Sequence, residues 1–317
     1  MIGIEAIEAA RDRIGDVALR TPLVRLRDTA VPEGSEVWLK LETLQPIGSF
    51  KIRGAASAIR GADPGDVARG VVTTSAGNMA QGVAWIAREL GVPATIVVPE
   101  HAPQTKRDAI ARLGGKVVSV PFDEWWSAME ARGHPAAEGH FVHPVADEAV
   151  MAGNGTIALE LVEQLDAFDA VVVPWGGGGL TTGIASALAA LRPDVQVHAC
   201  EPETAAPLSA AVAAGRPVDI DYRPSFVDGA GGKALLPEMW ERARPLLAGA
   251  HAVPIGDAAA AVRLLAERTR VVAEGAGALA LAAALSGRIG GERIVCIVSG
   301  GNIDSGKLST ILGGEVP

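Results

Sequence analysis

Four consecutive glycines, Gly176 to Gly179, follow the apolar run Val171-Val172-Val173-Pro174-Trp175 and precede a helix-like stretch beginning at Leu180. Residues without a Cβ let the backbone curl until several N–H groups face one centre, and a helix starting behind them adds the positive end of its dipole. This is chemistry for holding a phosphate; a strand-to-helix turn alone needs one or two glycines. Lys51 lies in Gln45-Pro46-Ile47-Gly48-Ser49-Phe50-Lys51-Ile52-Arg53-Gly54-Ala55, among small and apolar neighbours. Such surroundings lower the pKa of an amine and make it a nucleophile toward carbonyls. The plainer alternative is a surface lysine opening a helix. Two further apolar runs end in loops of small residues: Val71 to Thr74 leads into Ser75-Ala76-Gly77-Asn78, and Ile294 to Val298 leads into Ser299-Gly300-Gly301-Asn302.

Nucleotide motifs fit the glycines poorly. The dinucleotide fingerprint spaces its glycines as GxGxxG near a first βαβ unit, with an acid about 20 residues on; here the run is contiguous and starts at residue 176. Gly301 to Lys307 matches GxxxxGK after a strand, but Leu308 stands where a hydroxyl for Mg²⁺ is required. A phosphate-bearing organic cofactor that reacts with an amine is the remaining candidate.

The elements that position these residues show in the apolar pattern. Val71–Thr74, Thr95–Val98, Lys116–Val120, Ala170–Pro174, Val195–Ala199 and Arg293–Val298 read as mostly buried strands, since they lack alternation and are bounded by Gly, Pro or Ser. Met79–Leu90, Gln104–Leu113, Thr156–Leu165 and Leu180–Leu191 have helical spacing. Alternating strand and helix predicts an α/β fold with mostly parallel sheet, whose ligands bind at the carboxyl ends of the strands. No repeat or linker divides the chain. The series at 71–120 looks self-contained, and Trp125 to His143 is irregular and polar. This predicts a large domain of residues 1–69 and 148–317 with a small domain, 70–147, inserted in it.

Composition bounds the rest. The chain has 317 residues, enough for one large or two medium domains. Its 28 Lys and Arg against 37 Asp and Glu give a net charge of −9, the wrong sign for a nucleic-acid binder. The 38 glycines show no G-X-Y period, which excludes collagen. Cys200 and Cys296 sit in apolar runs and read as buried thiols of a reducing compartment. The N-terminus has acids at helical spacing and no signal-peptide pattern. The longest small-apolar run, Ala276 to Leu285, is far short of the roughly 20 residues of a membrane helix. The expectation is a cytoplasmic protein with no membrane or nucleic-acid partner.

Six ordered segments resemble one family. QPIGSFKIRGA is similar to the Schiff-base motif of fold-type II pyridoxal-phosphate enzymes of the serine/threonine dehydratase family, which includes serine racemase. TTSAGNMAQGVA resembles its asparagine loop, AGNGTIALE a helix of the family, and PWGGGGL its phosphate loop. EGAGALALAA and VSGGNID resemble its last two motifs, so the likeness runs from about residue 20 to 305. It implies the tryptophan synthase beta-like fold, with two open, mostly parallel sheets flanked by helices, and pyridoxal 5'-phosphate as cofactor. It further implies that Lys51 forms the Schiff base and acts as base at Cα, while Phe50 packs against the pyridine ring. Asn78 would hydrogen-bond the ring hydroxyl, Gly176, Gly177, Gly178 and Gly179 hold the phosphate, and Ser299 face the ring nitrogen. Ser75, with Ala76, Gly77 and Asn78, would take the substrate carboxylate. The implied activity is α,β-elimination of a small β-hydroxy amino acid such as L-threonine or L-serine to a 2-oxo acid and ammonia, in a homodimer or homotetramer.

Several positions depart from the family pattern. Serine racemases resemble the chain closely but have a second serine where Ala76 stands, so elimination is expected over racemisation. Met79 replaces a usual histidine and Trp175 a small aliphatic residue; both could border the substrate pocket and suit a modified hydroxy amino acid, or simply pack. Pro224 to Gly229 lacks the glutamate through which some members bind a cation. His140 and His143 have helical spacing without a third ligand, and no metal is expected. Trp125 and Trp126 read as packing or interface. The chain ends about fifteen residues beyond the last motif, where biosynthetic threonine dehydratases carry a regulatory domain, so no feedback control of that kind is expected. β-Replacement enzymes are a weaker match, because their asparagine loop reads TSGNTG. A nucleotide-binding or regulatory protein without chemistry is the rival of another class, opposed by the joint presence of Lys51, Asn78 and Ser299.

Overall fold

Apolar runs without alternation belong to strands covered on both faces, and the computed structural model, which describes residues 1–317, has ten strands in two sheets. They are β1 (Leu23–Leu26), β2 (Glu36–Leu41), β3 (Val71–Thr74), β4 (Ala94–Pro99), β5 (Lys116–Val120), β6 (His140–Phe141), β7 (Ala170–Pro174), β8 (Gln196–Pro202), β9 (Gly249–Val253) and β10 (Arg293–Val298). The larger sheet has the order β1-β2-β10-β7-β8-β9 and the smaller the order β5-β4-β3-β6. Every pairing is parallel except β1 with β2. Every residue of β3 and of β7 is buried. The loops after β3, β7 and β10 therefore leave from the carboxyl ends of their sheets, as parallel α/β architecture requires.

The sequence pattern misses β1, β2, β6 and β9. Arg25, Glu36 and Lys40 interrupt the first two, β6 has two residues, and β9 is a half-buried edge strand of Gly, Ala and His. The helix expected from Thr156 begins at Glu148, with Asp147 as its cap accepting from the N–H groups of Ala149 and Val150. Gly153 and Gly155 look like breakers but are contact points. A Cβ at Gly153 would lie 2.4 Å from the carbonyl of Arg53, and one at Gly155 would lie 2.9 Å from that of Gly183. The helix is thus pressed between helices Lys51–Gly61 and Gly179–Leu191.

That packing encloses four charges. Arg53 donates to Glu42 at 2.8 Å and to Glu160 at 2.6 Å, and Lys40 donates to Glu160, to Gln164 and to the carbonyl of Thr21. Lys40, Glu42 and Arg53 are each 1% exposed or less, and Glu160 is 8% exposed. The group joins β2, the short turn after it and the helix that begins with Lys51.

Two sequence expectations need correction. His140 lies on β6 and His143 in the turn after it, so their spacing is not helical; His143 is buried, with Nδ1 accepting from the N–H groups of Val145 and Ala146. The stretch read as irregular from Trp125 starts inside a helix, Phe122–Glu130, with Trp126 exposed. Met79, left open by the sequence between pocket and packing, is 1% exposed and packs in the core cluster around β3 and β4. Cys200 and Cys296 are free, buried thiols on β8 and β10, and β7 runs between them. No helix is long and apolar enough to cross a membrane.

Candidate active site

Lys51 opens the helix Lys51–Gly61 because the chain before it is tied to the end of β10. The N–H of Phe50 donates to the carbonyl of Ser299 at 3.0 Å, and Ser49 bridges Gly300. Ser299 is buried at that junction, and Phe50 packs on the core formed around β7. The Lys51 amine lies 5.3 Å from the centre of the Phe50 ring and donates to the carbonyl of Pro144 at 3.1 Å. Burial pulls its pKa down to about 8, against the opposing pull of Glu274. The side chain is therefore neither the surface lysine nor a paired structural cation.

The Pro144 turn connects the lysine to the glycine loop. A Cβ on Gly177 would lie 2.4 Å from the Val145 side chain, and one on Gly179 would lie 3.0 Å from the Val145 carbonyl. Beside this turn, burial first and then Arg132 hold the His143 pKa down to about 4, so its imidazole is neutral. Gly178 has φ +97°, and a Cβ there would lie 2.3 Å from the Trp175 ring. Trp175 is fully buried beneath the loop, which settles its place as packing and removes it from the pocket wall. Packing thus demands more of these glycines than the sequence suggests. It leaves the other side of the loop free: the N–H groups of Gly176 to Gly179 donate to no protein acceptor, at the start of the helix Gly179–Leu191. Four unpaired donors at a helix N-terminus fit a phosphate group.

The loop after β3 is built differently. Ser75 Oγ accepts from the N–H of Gly77 at 3.2 Å, while the N–H groups of Ala76 and Asn78 have no protein acceptor. Asn78, first in the helix Asn78–Leu90, donates to Glu274 at 2.8 Å and accepts from Asn302 at 2.8 Å. Glu274 is 196 positions away from Asn78, and sequence marks it only as the first residue of a family-like segment. Burial, with Asp228 adding to it, pushes the Glu274 carboxyl up to about 7. Glu274 and Asn302 line a cavity of about 470 Å³ together with Gln81, Lys106, Asp228 and Lys307. Lys51, the loop Ser75 to Asn78, the glycine loop and Ser299 thus sit on linked segments: Lys51 reaches the Pro144 turn that packs on the glycine loop, Phe50 is tied to Ser299, and Asn78 reaches Glu274, which lies against Gly300.

The two remaining sequence candidates border that cavity without forming the sites their motifs would imply. In the GxxxxGK match, the Asp304 carboxylate caps the helix Ser305–Leu312, accepting from Gly306 and Lys307, so its N-terminus offers no phosphate site. In Pro224 to Gly229, Phe226 is buried and Ser225 Oγ accepts from Val227. No three His, Cys, Asp or Glu side chains come together that could hold a metal.

Comparison with known proteins agrees with this geometry. The family described as "Pyridoxal-phosphate dependent enzyme" matches residues 14–300. An L-threonine ammonia-lyase of Thermotoga maritima is 38% identical over 98% of this chain and 78% of its own length. A beta-hydroxyaspartate dehydratase of Paracoccus denitrificans is 35% identical over 96% of this chain and 97% of its own length. The solved structure of maize serine racemase superposes with a TM-score of 0.90 at 32% identity, covering 99% of this chain and 97% of that one. With an amine of lowered pKa that reaches the turn on which a loop of unpaired N–H groups is packed, the chain belongs to the pyridoxal-phosphate-dependent enzyme family, on fold type II, within its ammonia-lyase and dehydratase-like group.

Proposed function

We propose that this chain eliminates water and then ammonia from a small β-hydroxy amino acid, L-threonine or L-serine by default, leaving a 2-oxo acid. The observation that supports the reading is that the Lys51 amine, of lowered pKa, reaches the Pro144 turn against which the glycine loop, with its unpaired N–H groups, is packed. In this reading residues 1–69 and 148–317 form the cofactor-holding domain, and residues 70–147 a small domain that carries the asparagine loop. Pyridoxal phosphate, when bound, spreads the electron pair left by the departing α-proton over its ring.

The protein's part is to hold, orient and move protons. Gly176, Gly177, Gly178 and Gly179 hold the phosphate, and Phe50 supports one face of the ring. Asn78 donates to the ring hydroxyl and Ser299 faces the ring nitrogen. A neutral hydroxyl there leaves the nitrogen unprotonated and the ring a weaker electron sink, which favours loss of the α-proton together with the β-hydroxyl over transamination. Lys51 would anchor the cofactor by its carbonyl carbon, and its Nζ would accept the substrate's α-proton. Ser75 and the N–H groups of Ala76 and Asn78 orient the substrate carboxylate. The hydroxyl leaves with a proton as water, and the released enamine takes up water and loses ammonia.

Ala76 offers no proton on the face opposite Lys51, which supports elimination over the racemisation named for the maize relative. A second reading, a dicarboxylic hydroxy amino acid, draws on the Paracoccus relative and on Lys106 and Lys307 in the cleft wall. The test is ammonia and 2-oxo acid formation from L-threonine, L-serine and β-hydroxyaspartate, with chiral analysis of the remaining serine. Ammonia from none of them, or serine interconverted as fast as pyruvate forms, overturns the proposal. Assembly as a homodimer or homotetramer is part of the same reading and is measured by sedimentation.

A further inference from the structure

Glu274 and Asn302 take no part in the steps above, yet both hold the side chain of Asn78. The hydrogen-bond chain through them begins at a backbone carbonyl. Asn302 Nδ2 donates to the carbonyl of Ile47 at 2.8 Å and to Asn78 Oδ1 at 2.8 Å. A carbonyl only accepts, so Asn302 cannot turn its amide over without losing Ile47. That fixes Asn78 in turn: its oxygen meets Asn302, and its nitrogen meets Glu274 Oε1 at 2.8 Å. An amide without such partners has two nearly equivalent orientations. Here one is imposed, and it leaves a single Asn78 N–H that serves neither neighbour.

Glu274 is a carboxyl placed to respond to pH. It is 8% exposed, and Asn78 is its hydrogen-bonding side-chain partner. The charged groups around it are Asp228, Lys106 on the helix Gln104–Arg112, and Lys51. Lys106 is engaged by Asp228 at 2.9 Å, so it does not pair with Glu274. A Cβ on Gly300, in the loop after β10, would lie 2.5 Å from Glu274 Oε1, so the carboxyl occupies space that the glycine leaves free.

We propose that Glu274 and Asn302 are positioning residues that lock Asn78 with its nitrogen toward the cofactor ring, so that the charge on Glu274 tunes the hydrogen bond Asn78 gives to the ring hydroxyl. The inference rests on the reading in which Asn78 meets that hydroxyl. An ionised Glu274 draws on the Asn78 amide and weakens its remaining N–H as a donor; it also repels negative charge on the ring oxygen. Both effects keep the proton on the ring oxygen. A neutral partner at residue 274 relieves both and lets the ring oxygen ionise at lower pH.

The test uses the full chain freed of cofactor and then titrated with pyridoxal phosphate, following the visible absorption band across pH. Glu274→Gln keeps an acceptor for Asn78 but cannot ionise, and is expected to move the band's pH midpoint down by about one unit. Asn302→Asp removes the donor to Asn78 Oδ1 and frees the amide to turn over, and is expected to weaken cofactor binding by about 10-fold. Asn302→Ala leaves the orientation unspecified and is expected to fall between Asn302→Asp and the unaltered chain. An unmoved midpoint in Glu274→Gln, or Asn302→Asp binding as tightly as the unaltered chain, overturns the positioning role while leaving the cofactor site standing. An unaltered chain that gains no visible band overturns the cofactor reading, and this inference with it.

Discussion

The two strand-to-helix loops at the cleft use glycine for opposite ends. In Gly176 to Gly179 the missing side chains make room for the protein itself: Val145 lies against Gly177 and the Trp175 ring against Gly178. Their shape is fixed from behind and their N–H groups are presented in front. In Ser75 to Asn78, Gly77 has no atom within 4 Å of where a Cβ would stand, and the loop is held by side chains, through Ser75 Oγ and the Asn78 clamp. On the proposed reading, the first loop would be a rigid mould for an invariant phosphate. The other has slack, as suits a loop that meets a substrate which comes and goes. The lesson is that glycine content alone does not distinguish a packed loop from an adaptable one; the neighbours of the absent Cβ do.

Lys51 serves both loops, so its removal is the harshest test of their shared purpose. Lys51→Ala is expected to abolish the visible cofactor band and to lower turnover by ~10³-fold or more; retained turnover would mean that the loops converge on some other group. The rigid loop comes next. Gly177→Ala is expected to cost about 1–3 kcal/mol of stability and to weaken cofactor binding, because Val145 is stiff and cannot swing aside. Adding Val145→Ala is expected to recover much of the loss in a denaturant titration. If it recovers nothing, the mould is not shaped by Val145.

Titration gives an intermediate effect. Uptake of the cofactor requires the neutral Lys51 amine, whose share rises with pH, so the uptake rate is expected to climb up to about pH 8 and level off above it. A rate that keeps climbing through pH 9 without levelling would show that the amine is not desolvated. The adaptable loop yields the smallest change: Gly77→Ala, at φ −107° with open space around it, is expected to shift stability by about 0.5 kcal/mol or less. A penalty as large as that of Gly177→Ala would erase the contrast between the loops.

Much of this site is legible in the sequence because its parts are local. Lys51 and Gly176 to Gly179 announce their chemistry in a few adjacent residues, and the strands that carry the loops are unbroken Val and Ile runs. What escapes is non-local. Glu274 and Asn302 acquire meaning only when the fold brings them to Asn78. The first two strands hide because Lys40 and Glu36 break the apolar pattern, and the helix from Glu148 hides because Gly153 and Gly155 imitate a loop. Met79 and Trp175 stay open between pocket and packing in the sequence, since nearness in sequence to a loop says nothing of which way a side chain turns.

The enclosed charges of Lys40, Glu42, Arg53 and Glu160 constrain how such a chain can change over time. Two positive and two negative groups balance out of reach of water, and losing one member strands its partner at a cost of about 3–5 kcal/mol, a large part of a typical domain's stability. Single substitutions in this quartet are therefore close to dead ends, whereas paired exchanges to apolar residues of similar volume remain open. Drift through sequence space has to take these four positions together, and one of them, Arg53, lies two residues downstream of Lys51.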